Sequence, residues 1–164
     1  MPKSSDPGRN KKIAETVVRS LTKKKRTLAL AESCTGGFIA HQITNVPGAS
    51  QIFLGGIVAY SNAAKEKFLG VRAKTLKRQG AVSGAVAREM AEGARRNFGT
   101  DFAVAVTGIA GPGGGTKSKP VGTVYIALAG KSGTTVACKW NAGKRNKFKE
   151  MTSQQALEML YLQC

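Results

Sequence analysis

Short apolar runs alternate along this chain with longer segments whose apolar residues recur at helical spacing, and this alternation limits the fold most narrowly. The runs at residues 27–31, 52–60 and 102–106 have the length and composition of strands. Residues 10–26 and the segments between the runs have the pattern of helices. Alternating strands and helices are typical of α/β domains, in which helices cover both faces of the sheet.

The C-terminal part of the chain predicts a hairpin and a closing helix. Residues 121–128 and 134–140 have the pattern of two strands joined at Lys131-Ser132-Gly133. A final helix is expected over residues 145–162. Because a hairpin pairs its strands antiparallel, we expect a mostly parallel, mixed sheet with one antiparallel strand.

The length of 164 residues suits one domain, and no internal repeat or long linker divides the chain. Asn62 and Ser83 are expected to cap two of the helices. Residues 1–10 contain prolines, glycine and basic residues and predict a flexible basic tail. The single domain is expected over residues 11–164.

Composition excludes several classes of protein. Hydrophobic residues make up 41% of the chain, which is enough for a packed core and too much for a disordered chain. No apolar run is long enough to span a membrane, and the N-terminus lacks the apolar core of a signal peptide. We therefore expect a cytoplasmic protein without a membrane partner, whose three cysteines are reduced.

The formal net charge is +17, from 26 basic and 9 acidic residues. Such a charge attracts anions, and both a nucleic acid and a phosphorylated metabolite qualify. Only 6% of the residues are aromatic, and no basic stretch is interleaved with aromatic side chains. A stacking surface for single strands is not visible, so we expect no specific nucleic-acid partner.

The segment AESCTGG at residues 31–37 ends the first apolar run with a tight turn before a helix. Ser33 then lies at the carboxyl end of a strand and near a helix N-terminus, where ligands of open α/β sheets bind. Backbone N–H groups there can hold an oxyanion. The segment fails the G-x-S-x-G pattern, and Ser33 can equally serve as a helix cap. Cys34 is a rival nucleophile.

A serine nucleophile needs a base, and the single histidine, His41, is expected to be a surface or packing residue. A lysine is the alternative, provided that burial or neighbouring positive charge lowers its pKa from about 10.4. The segment at residues 60–65 offers Lys65, with Tyr60 and Asn62, at the end of the second strand. A solvated surface lysine is the competing interpretation.

A glycine-rich segment at residues 107–115 directly follows the third strand. Its backbone can approach a phosphate or a ribose closely and donate N–H groups to it, although a mobile surface loop is the alternative. It is not a Walker A loop, because Thr116 precedes Lys117. The 9 acidic residues are scattered, and closely spaced His and Cys are absent, so we expect no metal site.

Five segments in order, at residues 31–37, 60–65, 80–83, 107–112 and 119–124, together resemble one family. They read AESCTGG, YSNAAK, GAVS, TGIAGP and KPVGTV. The chain is similar over roughly residues 12–163 to the C-terminal domain of the competence/damage-inducible CinA proteins. That domain also occurs alone as the nicotinamide-nucleotide amidase PncC.

The resemblance implies a three-layer α/β/α sandwich with a five-stranded mixed sheet. It implies hydrolysis of nicotinamide mononucleotide to nicotinate mononucleotide and ammonia without a metal or cofactor, and it allows a homo-oligomer. By resemblance Ser33 is the nucleophile, Lys65 its base, and Tyr60 a supporting group. The phosphorylated substrate would be bound by Thr35, Gly36, Asn62, Thr107, Gly108, Ile109, Gly111 and Arg145, with Arg145 on the 5′-phosphate.

Several positions depart from the family pattern and remove negative charge near the expected pocket. They are Gly84, Gly113, Lys117 and Lys144, and they bear on substrate preference. We expect the family's usual N-terminal partner domain, and its activity, to be missing here. The second hypothesis is a non-catalytic nucleotide- or nucleic-acid-binding module linked to competence or DNA damage.

Overall fold

The structure, a computed structural model, describes residues 7–164 and contains one five-stranded mixed sheet. Its strands lie in the order β2-β1-β3-β4-β5. Strands β1, β2 and β3 pair in parallel, whereas β4 is antiparallel to both of its neighbours. The expectation of one antiparallel strand in a mixed sheet is therefore confirmed. The strands are β1 Leu28–Glu32, β2 Phe53–Val58, β3 Phe102–Gly108, β4 Thr123–Gly130 and β5 Gly133–Trp140.

Helices cover both faces of the sheet, which confirms the three-layer α/β/α sandwich. One core cluster contains residues of α1, α2 and α6, and the other contains residues of α3, α4 and α5. A short 3-10 turn, Ala49–Gln51, precedes β2. None of the helices in residues 7–164 is long and apolar enough to cross a membrane. The helices are α1 Pro7–Lys24, α2 Phe38–Thr44, α3 Asn62–Leu69, α4 Ala73–Gln79, α5 Gly84–Phe98 and α6 Arg145–Tyr161.

The two faces of the central strands differ in side-chain size. Large residues such as Leu30 and Val104 face α1, α2 and α6, whereas small residues such as Ala31 and Ala105 face α5. Helix α5 also approaches α3 closely, since a Cβ added to Gly93 would lie 1.9 Å from the carbonyl oxygen of Leu69. This close packing fixes α3 against the domain.

Two boundaries differ from the sequence-based expectation. Helix α1 begins at Pro7, so residues 7–10 are helical and the prediction of a loose tail is wrong for them; residues 1–6 lie outside the described part. Proline suits a first helical position, where its missing N–H has no partner to lose. Helix α4 was not predicted, because only Thr75 and Leu76 of its seven residues are buried and its apolar periodicity is weak.

Candidate active site

The carboxyl ends of β1, β2 and β3 meet at one edge of the sheet, because these three strands are parallel. A cavity of about 210 Å³ opens at that edge. The segments after each strand supply its walls. Its lining residues are Ser33, Cys34, Tyr60, Asn62, Lys65, Ala81, Val82, Thr107, Gly108, Ala110 and Arg145. The structure thus brings together most of the residues that the sequence had singled out.

Ser33 and Lys65 form the floor of this cavity. Lys65 lies in the first turn of α3. The cap of this helix is Ser61, whose hydroxyl accepts a hydrogen bond from the Ala64 N–H at 3.1 Å, so the prediction of Asn62 as the cap is wrong by one residue. The Lys65 side chain runs inward, leaving the residue 1% exposed, and its Nζ lies 3.0 Å from Ser33 Oγ. The two side chains therefore form a buried pair, and the interpretation of Lys65 as a solvated surface lysine is wrong.

The surroundings of Lys65 favour its neutral form. Burial lowers the pKa of its amine, and in the described part of the chain no carboxylate oxygen lies within 4.0 Å of Nζ. The carbonyl oxygens of Ala59 and Tyr60 lie 2.9 and 3.3 Å from Nζ. An ammonium at this place would donate to all three oxygens, whereas a neutral amine has two N–H bonds for the two carbonyls and a lone pair for the Ser33 hydroxyl. The hydroxyl can then donate its proton to Lys65.

The rival residues do not form such a pair. Cys34 is buried, and burial raises the pKa of its thiol to about 12, which leaves almost no thiolate at neutral pH. His41 is exposed on α2, outside the cavity, where its Nε2 lies 3.0 Å from Asn45 Nδ2. The expectation that His41 is a surface residue is confirmed, and Ser33 remains the best-placed nucleophile.

The turn after Ser33 leaves backbone donors beside the hydroxyl. Ser33 donates its own N–H to the Val106 carbonyl at 3.1 Å, which ties the turn to β3. Within residues 7–164 neither Cys34 nor Thr35 donates its N–H to a backbone carbonyl. Thr35 is fully buried and lies outside the cavity, whereas Cys34 lines it, so the Cys34 N–H is the candidate backbone donor for an oxyanion.

The rim of the cavity is exposed and cationic. Tyr60 is 59% exposed, and its hydroxyl accepts a hydrogen bond from Arg145 at the start of α6. Arg145 also donates to the Gly111 carbonyl at 3.1 Å, so it links the segments that follow β2 and β3. No carboxylate within the described residues lies within 4.0 Å of its guanidinium. The charge is therefore available to an anionic ligand.

Thr107 and Gly108, at the end of β3, shape the cavity wall. The Thr107 hydroxyl donates to the Ala81 carbonyl at 2.8 Å and so holds the segment that presents Ala81 and Val82 to the cavity. A Cβ on Gly108 would lie 2.7 Å from the Thr123 carbonyl oxygen, so this position has no room for a side chain. Thr107 and Gly108 therefore determine the course of the backbone along the cavity wall.

Four residues predicted to bind substrate do not line the cavity. One of them, Gly111, is buried, and its carbonyl accepts a hydrogen bond from Arg145. The Thr35 side chain is buried and bonds to Glu32, because the turn directs it inward. Gly36 is exposed outside the cavity, where an added Cβ would lie 3.8 Å from Lys149 Nζ. The N–H of Ile109 donates to Thr123 and its carbonyl accepts from Gly122, so its backbone only extends the sheet pairing.

Other residues line the cavity without having been predicted to do so. Ala81 and Val82 belong to the GAVS segment, which the sequence flagged as a motif without giving it a role. Ala110 lies in the glycine-rich segment. In residues 7–164 no group of three or more His, Cys, Asp or Glu side chains is placed to hold a metal ion.

Comparisons with known proteins identify the family. The family model of the CinA C-terminal domain matches residues 10–164. The chain is 53% identical over 148 residues to a CinA-like protein of Geobacter sulfurreducens, covering 90% of this chain and 36% of that protein. It is 50% identical over 150 residues to a CinA-like protein of Anaeromyxobacter sp. strain K, covering 92% and 37%. The chain therefore spans little more than a third of these curated relatives.

Solved structures agree with this match. The competence/damage inducible protein CihA from Agrobacterium tumefaciens superimposes with a TM-score of 0.91 at 41% identity, covering 96% of this chain and 97% of that one. A competence-damaged protein (CinA) superfamily protein from Escherichia coli gives a TM-score of 0.91 at 30% identity, covering 99% and 95%. The chain belongs to the CinA C-terminal domain family.

Proposed function

We propose that this chain is an amidohydrolase that converts nicotinamide mononucleotide to nicotinate mononucleotide and ammonia. The observation that carries the proposal is the buried pair of Ser33 and Lys65, with Nζ 3.0 Å from Oγ and no carboxylate of residues 7–164 beside the amine. A serine beside a neutral lysine is an activated nucleophile for acyl transfer. The resemblance to the nicotinamide-nucleotide amidase supplies the substrate.

In the first half of the reaction, Ser33 Oγ attacks the carboxamide carbon while Lys65 takes the hydroxyl proton. The carbonyl oxygen becomes an oxyanion, for which the N–H of Cys34, a residue that lines the cavity, is the candidate donor. The protonated Lys65 then gives its proton to the amide nitrogen. The C–N bond breaks, ammonia leaves, and an ester forms between Ser33 and the pyridine carbonyl.

In the second half, a water molecule takes the position that ammonia has left. Lys65, neutral again, removes a proton from the water as it attacks the ester carbon. Collapse of the second tetrahedral intermediate breaks the bond to Ser33 Oγ, and Lys65 returns the proton to Oγ. The net reaction consumes one water and gives a carboxylic acid and ammonia.

The rim is suited to the phosphorylated end of the substrate. Arg145 presents a planar group of N–H donors at the cavity mouth and has no ion-pair partner in the described residues. A second cavity of about 550 Å³ is lined by Ala110, Pro112, Gly143, Lys144 and Arg145. The arginine therefore borders two openings, and by resemblance it is assigned to the 5′-phosphate of the substrate.

Ammonia release from nicotinamide mononucleotide tests the proposal. Wild-type protein is expected to release one ammonia per nicotinate mononucleotide formed, and nicotinamide riboside, which lacks the phosphate, is expected to be a much poorer substrate. Cys34→Ala is the matched control for Ser33→Ala, since it changes the neighbouring residue of the same turn. Loss of activity in Cys34→Ala with activity retained in Ser33→Ala would contradict the assignment.

The net charge of +17 favours one alternative, a non-catalytic module that binds nucleotides or nucleic acid and is linked to competence or DNA damage. A module of this kind would bind without releasing ammonia. Under the proposed function, binding to DNA is weak, independent of sequence and steeply dependent on salt. Tight binding to one DNA sequence at physiological salt, with no ammonia released, would favour the alternative.

A further inference from the structure

Glu32, the last residue of β1, has a buried carboxylate directly beside the serine turn. The residue is 2% exposed, and its carboxylate accepts four hydrogen bonds: from the Thr35 hydroxyl at 2.5 Å and from the N–H groups of Gly37, Ile39 and Ala40 at 3.0, 3.1 and 2.8 Å. No lysine or arginine nitrogen in the described part of the chain lies within 4.0 Å of it. Uncharged donors alone therefore satisfy this anion.

This set of bonds exceeds what the start of a helix requires. An ordinary capping side chain accepts one backbone N–H, whereas Glu32 accepts three at the start of α2 and a hydroxyl from the turn before it. The positive end of the helix dipole also favours a carboxylate at this place. Because the bonds span residues 35–40, they hold the serine turn and the first turn of α2 as one unit.

The main chain of Glu32 is connected to the lysine side of the pair as well. Its carbonyl accepts a hydrogen bond from the Ala59 N–H at 2.9 Å. The Ala59 carbonyl in turn accepts from Lys65 Nζ at 2.9 Å. Glu32 is thus joined through its side chain to the turn that carries Ser33 and through its backbone to the segment that holds Lys65.

We propose that Glu32 is a positioning residue for the Ser33–Lys65 pair. Its carboxylate holds the turn so that Ser33 Oγ faces Lys65 Nζ and Cys34 stays at the cavity wall. The inference rests on the proposed function. A reacting group misplaced by about 1 Å can slow a reaction about 10²-fold, so loss of the carboxylate should lower kcat. KM should change little, because the rim residues proposed to bind the substrate stay in place.

Glu32→Gln tests this with little change in shape. Glutamine keeps one acceptor oxygen, and its amide NH₂ must face one of the donors at the start of α2. With nicotinamide mononucleotide we expect kcat to fall about 10²-fold and KM to change only a few-fold. The acylation rate of Ser33 by p-nitrophenyl acetate should fall in parallel, which tests the geometry without the natural substrate.

Glu89→Gln is the matched control. Glu89 also accepts hydrogen bonds at a helix start, from the Arg72 N–H at 2.9 Å and the Thr75 hydroxyl at 2.8 Å, but it lies outside the cavity. Its variant is expected to lose stability and to keep the wild-type kcat. A wild-type kcat in Glu32→Gln, or an equal loss of kcat in both variants, would overturn the inference.

Thr35 supplies a second test if Glu32→Gln does not fold. Thr35→Val removes the hydroxyl donor to Glu32, and Thr35→Ser retains it, so kcat should fall in the first variant and recover in the second. Equal kcat in Thr35→Val and wild type would overturn the inference. A wild type that cleaves p-nitrophenyl acetate through Ser33 but releases no ammonia would refute the amidase alone, because the ester series still tests Glu32. A wild-type protein that reacts with neither nicotinamide mononucleotide nor p-nitrophenyl acetate would overturn both the proposed function and the inference about Glu32.

Discussion

The floor and the rim of the cavity differ in burial and in charge. The floor holds Ser33 and Lys65, which are buried and lack a charged partner in the described residues. The rim holds Tyr60 and Arg145, which are exposed and present a cation to solvent. A low-dielectric floor lowers the pKa of a lysine and strengthens the interactions made in a transition state, whereas a solvated cation can bind a phosphate. Under the proposed function, the chemistry therefore belongs to the floor and substrate affinity to the rim.

The largest expected effect comes from removing the nucleophile on the floor. Ser33→Ala should fold normally and lose kcat by on the order of 10⁴-fold or more, because no other group can form the ester. Steady-state ammonia release and the thermal unfolding midpoint together check this. Activity close to that of wild type in Ser33→Ala would mean that the floor of the cavity does not provide the nucleophile.

Removing the base is expected to have the next largest effect. Lys65→Met removes the amine and keeps most of the length of the side chain, and kcat should fall by about 10²–10⁴-fold, the usual contribution of general base catalysis. Binding of nicotinamide mononucleotide, measured by calorimetry, should change only a few-fold. If Lys65→Met turned over at the wild-type rate, Tyr60 would become the next candidate base.

On the rim, Arg145→Ala should raise KM and leave kcat nearly unchanged. A hydrogen bond to a charged group contributes about 1.5–3 kcal/mol, which corresponds to a change of roughly 10–100-fold in KM. Lys147→Ala, on the same helix but outside the cavity, is the control and should change KM little. A lower kcat with an unchanged KM in Arg145→Ala would mean that this arginine takes part in the chemistry and not in substrate binding.

The smallest effect concerns the pH dependence of stability. The pKa of Lys65 is lowered in the folded protein, by burial, from its usual 10.5. Between the two pKa values the unfolded chain binds a proton that the folded chain does not, so stability should rise with pH in that window. Denaturant unfolding of wild type and Lys65→Met from pH 7 to 11 should therefore diverge, with wild type gaining relative to the variant. Parallel curves would mean that the pKa of Lys65 is the same in both states.

The sequence predicts accurately the strands and helices that surround the site, because the site lies where clear apolar patterns end. The apolar run at residues 27–31, followed by Gly36 and Gly37, specifies a strand, a tight turn and a helix, and both glycines do adopt left-handed conformations. The proximity of Ser33 to Lys65 depends on the parallel pairing of β1 with β2. A single sequence does not encode that register visibly, and the resemblance to a family supplied it.

The direction in which a side chain points was harder to predict. Thr35 lies in the same turn as Ser33, yet its hydroxyl points inward to Glu32, so the structure does not place it where it was predicted to bind substrate. Glu32 carried no sequence signal beyond its place in the motif, because a buried carboxylate and an exposed one look alike in a sequence. Only the hydrogen bonds of the folded turn distinguish them.

The protonation state of Lys65 tests the central claim most directly. An NMR titration of the Lys65 ε-amine in the substrate-free protein, assigned by comparison with Lys65→Met, reports it without any assumption about the substrate. We predict a midpoint well below 10.5, because the amine is buried and has no carboxylate partner among the described residues. A midpoint at or above 10.5 would mean that Lys65 is an ammonium at neutral pH and would contradict its role as the base for Ser33.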